Sequence, residues 1–177
     1  TAPRTLTLNT KYQGAVAINV WTGYAVQVVS KSGARRVVIG PAPILLKYDE
    51  ELEALALSTG KPKTTDKVLT TAYLRVENNK VADIVRIETK DHVEVDVKLS
   101  YKINFTGDST KWFKVENYVK FFCDHARSLL KGAARKITVE DFYQNSTDLI
   151  RDILLGKAEG GKRAGLSFEE NGMRMDD

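Results

Sequence analysis

The sequence predicts an α+β fold, in which a small antiparallel β module is followed by an antiparallel sheet with helices packed on one face. Three observations predict it. Short β-branched runs punctuated by Gly and Pro fill the first third, a long strict apolar–polar alternation lies mid-chain, and helix-spaced apolar residues follow. Strands first, helices after and a weak strand pattern last is the order of an α+β domain.

Residues 15–21 and 24–29 are apolar, β-branched runs with Thr22-Gly23 between them. Lys31-Ser32-Gly33 turns the chain into 35–39, Gly40-Pro41 ends that strand, and Ile44-Leu45-Leu46 follows. This module, residues 1–50, is too short to bury much surface alone and needs neighbours to complete its core. A second domain, 51–177, opens with Leu55 and Leu57 and a stop at Gly60-Lys61-Pro62. Residues 68–76 read as one strand and 81–89 as the next, with Lys90-Asp91 as a turn. Then Val93, Val95, Val97, Leu99, Tyr101, Ile103 and Phe105 alternate with Glu94, Asp96, Lys98, Ser100, Lys102 and Asn104. Period two puts one face of this strand on a core and the other in water.

Asp108-Ser109 is placed to cap a short turn carrying Trp112 and Phe113. From Val115 the apolar positions Tyr118, Val119, Phe122, Ala126, Leu129, Leu130 and Ala133 follow helical spacing. Thr138 with Glu140 and Asp141 starts a second helix, with Phe142 inward. Asn145 with Asp148 starts a third, carrying Leu149, Ile150, Ile153 and Leu154 and stopped by Gly156. The Gly-, Lys- and Ala-rich stretch 157–165 reads as a mobile loop, and 166–177 as a closing strand through Phe168, Met173 and Met175.

Twenty-seven basic and 23 acidic side chains leave a formal net charge of +4, with both signs mixed along the chain. A dedicated nucleic-acid binder concentrates its basic residues, so no direct nucleic-acid binding is expected. Arg35-Arg36 and Lys61-Pro62-Lys63 are the densest basic spots and read as solvated turn and edge positions. No apolar run is long enough to cross a bilayer, which argues against membrane insertion. With Cys123 the only cysteine, an intrachain disulfide is excluded and a reducing, cytoplasmic setting is expected. The sequons at Asn104 and Asn145 come without a secretion signal and read as chance matches.

Reactive groups are few. Cys123 and His125 stand two apart on a helix, so their side chains take different faces and form no nucleophile–base pair. With His92 as the one other histidine, no zinc set is complete. Gly156, Gly161 and Lys162 fit part of a phosphate-loop pattern, but Arg163 stands where Ser or Thr should hold magnesium. The loop also follows a helix instead of leaving a strand. Glu50-Glu51 and Glu169-Glu170 read as turn carboxylates without partners. Trp112, Phe113, Phe121 and Phe122 read as core and rim and not as a base-stacking platform. No catalytic, cofactor-binding or metal-binding residue is assigned, no cofactor is expected, and the chain is read as a non-enzyme.

Several segments carry a family likeness. Ala25-Val26-Gln27-Val28 and 36–41 look like the end of a vault repeat. The run 57–63 resembles the entry to a vault shoulder domain, 83–92 its hairpin, 139–146 the acidic, aromatic and Asn-Ser stretch before its last helix, and 168–172 the return into its final strand. In this order, from about Tyr24 onward, the chain resembles the major vault protein family. The resemblance implies a structural subunit: many copies side by side form a hollow cytoplasmic ribonucleoprotein particle, β repeats build its wall, the shoulder turns it inward, and a long cap helix follows. It implies a shoulder similar in fold to the stomatin, prohibitin and flotillin domain, and no catalytic residues to carry over. The chain stops at Asp177, before any cap helix, so self-association is expected of the longer protein and a monomer or weak oligomer of this piece. The alternative reading is a stomatin- or prohibitin-like membrane-associated scaffold. A hydrophobic hairpin or lipid anchor before the domain would mark that class, and a β module stands there instead.

Overall fold

The structure, a computed structural model, describes residues 16–176; Ala15 and Asp177, at the outer ends of two expected strands, lie outside the described residues, as do positions 1–14 of the β module. In chain order the strands are β1 (Ala17–Val20), β2 (Tyr24–Ser30), β3 (Arg35–Ile39), β4 (Ala42–Leu45), β5 (Glu50–Leu52), β6 (Leu55–Ser58), β7 (Val68–Thr71), β8 (Leu74–Arg75), β9 (Asn79–Glu88) and β10 (Glu94–Phe105). A short 3-10 turn (Ser109–Lys111) leads to helices α1 (Tyr118–Ala134), α2 (Val139–Gln144) and α3 (Ser146–Leu155), then to β11 (Leu166–Phe168) and β12 (Met173–Asp176). The fold is α+β, with every strand pairing antiparallel.

In the first part β2 is the central strand. It pairs with β3 on one edge, and with β5 and β8 end to end on the other. The turn at Thr22-Gly23 does not make a hairpin. Instead β1 pairs with β4, because the chain doubles back at Gly40. A Cβ on Gly40 would lie 1.9 Å from the Trp21 carbonyl oxygen, so only glycine fits that return. Val20, Val26, Val28 and Ile44 form a small core on one face of β2, while Ala25 turns the other way into the main core.

The second sheet runs β11-β12-β10-β9. Along β9 and β10 the residues Val81, Val85, Ile87, Val97, Leu99, Tyr101, Ile103 and Phe105 are buried, while Lys80, Arg86, Glu94, Asp96, Lys98, Ser100 and Lys102 are exposed. The helices cover the buried face, with Phe122, Cys123, Ala126 and Leu130 of α1 in the core. Asp108, Asn117 and Thr138 cap as their residue types predict, each accepting a backbone N–H with its side chain.

Three expectations change. Residues 68–76 hold two strands, not one: the Thr71 hydroxyl accepts the Tyr73 amide, bending the chain from β7 beside β6 to β8 beside β2. The closing strand is a hairpin of β11 and β12, turned at Gly172, whose φ is +62°. The helix expected from Val115 starts at Tyr118, where Asn117 accepts the Lys120 amide. In the loop 157–165 the Glu159 and Lys162 backbones bond reciprocally across Gly160 and Gly161, both at positive φ.

Candidate functional site

The residues singled out in the sequence do not converge. Cys123 is fully buried and its thiol lies 2.9 Å from the Tyr101 hydroxyl. Burial pushes the thiol up to about 11 and pushes the Tyr101 phenol up as well, so both are neutral at ordinary pH. His125 is half-buried with its ring edge-on to Phe168, 5.0 Å between centroids. His92 is exposed in the β9–β10 turn, its Nδ1 2.7 Å from Glu88. Among the described residues no group of three His, Cys, Asp or Glu side chains could hold a metal, and no helix is long and apolar enough to cross a membrane. Arg163 points back to Asp152 and the Gly156 carbonyl at the end of α3, so the glycine-rich loop closes on the helix C-terminus.

Two readings of charged residues are corrected. Glu50 is not an unpartnered turn carboxylate: it lies in β5, paired with Arg36 (2.9 and 3.2 Å) and the Lys47 amide. Arg36 beside it holds its carboxyl below the usual range. Lys63 is not solvated. Only 8% exposed, it gives its backbone N–H to Asp83 (2.9 Å) and its ammonium to the Thr59 carbonyl (3.1 Å).

That contact belongs to a buried polar cluster which the sequence reading missed. Asp83, its side chain 1% exposed, accepts from the Lys63 amide and from Arg127 of α1, and Arg127 also donates to the Lys63 carbonyl at 3.1 Å. The cluster ties loop, sheet and helix together; Asp83 Oδ1 is hydrogen-bonded within it, while the buried Oδ2 has ion-pair contact with Arg127 but no hydrogen bond. One signal was available: Asp83 sits in the inward phase of β9, between Val81 and Val85, where an apolar residue is the rule.

The candidate site is therefore surface, not cleft chemistry. Single backbone bonds at the two ends of the pair (Ser30 N–H to the Ala34 carbonyl, Gly40 N–H to the Tyr24 carbonyl) set the phase in which Arg35, Val37 and Ile39 aim their backbone groups away from β2. That edge of β3 is unpaired among the described residues. Arg35 and Arg36 make the β3 flank basic, while Asp49, Glu50, Glu51 and Glu53 make the β5 flank acidic, where Lys31 also sits, its N–H on the Asp49 carbonyl and its ammonium over the Tyr48 ring. Arg36–Glu50 and the looser Arg35–Glu53 pair (3.8 Å) use part of this charge internally. Trp21, Ile39, Leu45 and Tyr48 add exposed apolar area around the same module.

Residues 77–177 match the family described as the shoulder domain. The chain is similar to major vault protein of Gallus gallus, 36% identical over 90% of this chain and 19% of that protein. It is 33% identical to major vault protein alpha of Dictyostelium discoideum over 84% of this chain, and 31% identical to major vault protein of Trypanosoma cruzi over 89%. The chain spans about a fifth of the length of these curated relatives.

Proposed function

The chain belongs to the major vault protein family, and from that premise we propose that it is part of a non-catalytic structural subunit of a large, hollow, cytoplasmic homo-oligomeric shell. Residues 1–50 act as a wall repeat and 51–177 as the shoulder. The observation that carries this reading is the family match across the sheet-and-helix part of the chain, and the free edge and opposed charged flanks of the β2 sheet support it. One basic and one acidic flank suit head-to-tail contact between identical copies, which closes into a ring when the rotation per copy closes. Surface charge is mixed in sign, so nucleic acid has no basic stripe to follow.

Two measurements test the proposal. Negative-stain images of the full-length protein should contain hollow particles, and their absence from purified, folded protein overturns the reading. Size-exclusion chromatography with light scattering should find the 177-residue chain monomeric or weakly associated, and a stable large ring from it would contradict the expected need for the remaining chain.

A further inference from the structure

We propose that the outer face of the β9–β10 ladder is a contact surface for a second copy of this chain, packed face to face with its strands reversed, the basic end of each on the acidic end of the other. The helices cover one side of the ladder, and the β9–β10 register alone sets what the other side presents. Lys80 stands directly opposite Lys102 at one end, and Glu88 directly opposite Glu94 at the other. Like charges facing each other across a ladder repel, so the lone chain carries this cost twice, with opposite sign. Arg86 pairs with Asp96 (2.9 Å) and loosely with Glu94 (3.9 Å), and Glu88 contacts His92 (2.7 Å), which leaves the acidic end with more carboxylates than cations. Asp176, next to Lys102 on β12, is held by Arg174 (2.6 Å) and Asn104 (3.1 Å). Lys80, Lys98 and Lys102 have no ion pair among the described residues.

The middle of the face suits the same occupant. Ile84 and Ala82 stand half-buried on the water side, where polar residues are the rule, and Ile84 lies midway between Lys80 and Glu88. Across from it, Lys98 lies midway between Lys102 and Glu94. A two-fold axis through the Ile84–Lys98 row therefore sets Ile84 on its own copy, Lys102 over the second copy's Glu94 and Lys80 over its Glu88. Lys98 meets its counterpart near the axis, and its long stem reaches the second copy's Asp96, one row along. Sheets stacked this way lie about 10 Å apart, a gap that two long charged side chains span. The strip is roughly 27 Å long and about 10–15 Å wide, less than a standard stable interface, so the pair is weak and sensitive to salt. This contact goes beyond the shell reading and does not rest on it, because the edges of the β2 sheet take no part.

The test is sedimentation velocity of the 177-residue chain over a concentration series, at low and at high salt. A monomer–dimer equilibrium should appear at low salt and weaken about tenfold or more at high salt. One double variant, Lys80→Glu with Lys102→Glu, makes both ends of the face acidic; another, Glu88→Lys with Glu94→Lys, makes both basic. Each replaces a like pair by a like pair, so the fold keeps its stability while the dimer weakens about tenfold or more. An equimolar mixture of the two should dimerise again, since each face then meets its opposite. Ile84→Lys, on the exposed face, should weaken the parent dimer several-fold and decides the matter if the double variants do not fold. A parent chain monomeric at low salt, a dimer that survives both double reversals, or a mixture that stays monomeric would each overturn the proposal.

Discussion

Arg127 on α1 places one guanidinium nitrogen 2.9 Å from Oδ1 and 2.8 Å from Oδ2 of Asp83 on β9, the first contact having hydrogen-bond geometry. Burial alone would lower the Arg127 pKa, and the adjacent carboxylate raises it above its ordinary value. Removing one partner leaves the other charge in a dry interior. Arg127→Leu should therefore cost about 2–4 kcal/mol in urea unfolding, and adding Asp83→Leu should recover part of it. A single variant as stable as the parent would show that the pair is solvated.

Cys123 should react with a thiol reagent only on unfolding, because burial raises its pKa from 9.0 to about 11. A raised pKa means the folded state disfavours the thiolate. Its contribution to stability is complete below the unfolded value and is lost as pH rises from about 9 through about 11. Cys123→Ala, which leaves the Tyr101 hydroxyl unpaired, should cost about 1–3 kcal/mol. Thermal melts across that pH range, in parent and variant, check both statements.

Asp91, in the β9–β10 turn, accepts the Val139 amide at 3.1 and 3.3 Å and so caps a helix 48 residues away. The Thr89 hydroxyl, and then the Val139 amide, hold its carboxyl below the ordinary range. A lowered pKa contributes stability at neutral pH that disappears as pH falls below about 4. Asp91→Asn should lower the melting temperature at pH 7 by roughly 2–4 °C and narrow the gap to the parent in acid. A gap constant from pH 7 to acid would refute the charge-based part.

Gly172→Ala should destabilise by more than about 2 kcal/mol. Gly172 has φ +62°, and a Cβ there would lie 2.6 Å from the Thr106 carbonyl and 2.7 Å from the Trp112 ring. Urea unfolding of this variant would show a shift within about 0.5 kcal/mol only if the turn can reorganise.

Local pattern was legible in the sequence. Period two along 93–105, with Val93 itself left exposed in the turn, and helical spacing after Tyr118 are written in consecutive residues. What the pattern cannot carry is which distant strand completes an edge. The attachment of β5 and β8 to β2, and the seat of Lys63 on Asp83, depend on contacts between residues far apart in sequence. The split at Thr71 rests on a single side-chain hydrogen bond that leaves no periodic trace. The candidate surface was legible only in part. The charges of Arg35-Arg36 could be read, but their partners Glu50 and Glu53 could not.

β8 lies on β2, and four residues on from Arg75, Asn79 donates through one side-chain amide to the Arg75 carbonyl (2.5 Å) and the Ile103 carbonyl (3.2 Å), while its oxygen accepts from Tyr118. Val76 joins the same two sheets, its N–H donating to the Gly23 carbonyl (2.8 Å) and its carbonyl accepting the Phe105 N–H (2.8 Å). Force pulling the sheets apart is therefore shared between this backbone bridge and the Asn79 amide, and several bonds must give together. The junction should behave as a stiff joint that gives way abruptly, and not as a compliant hinge.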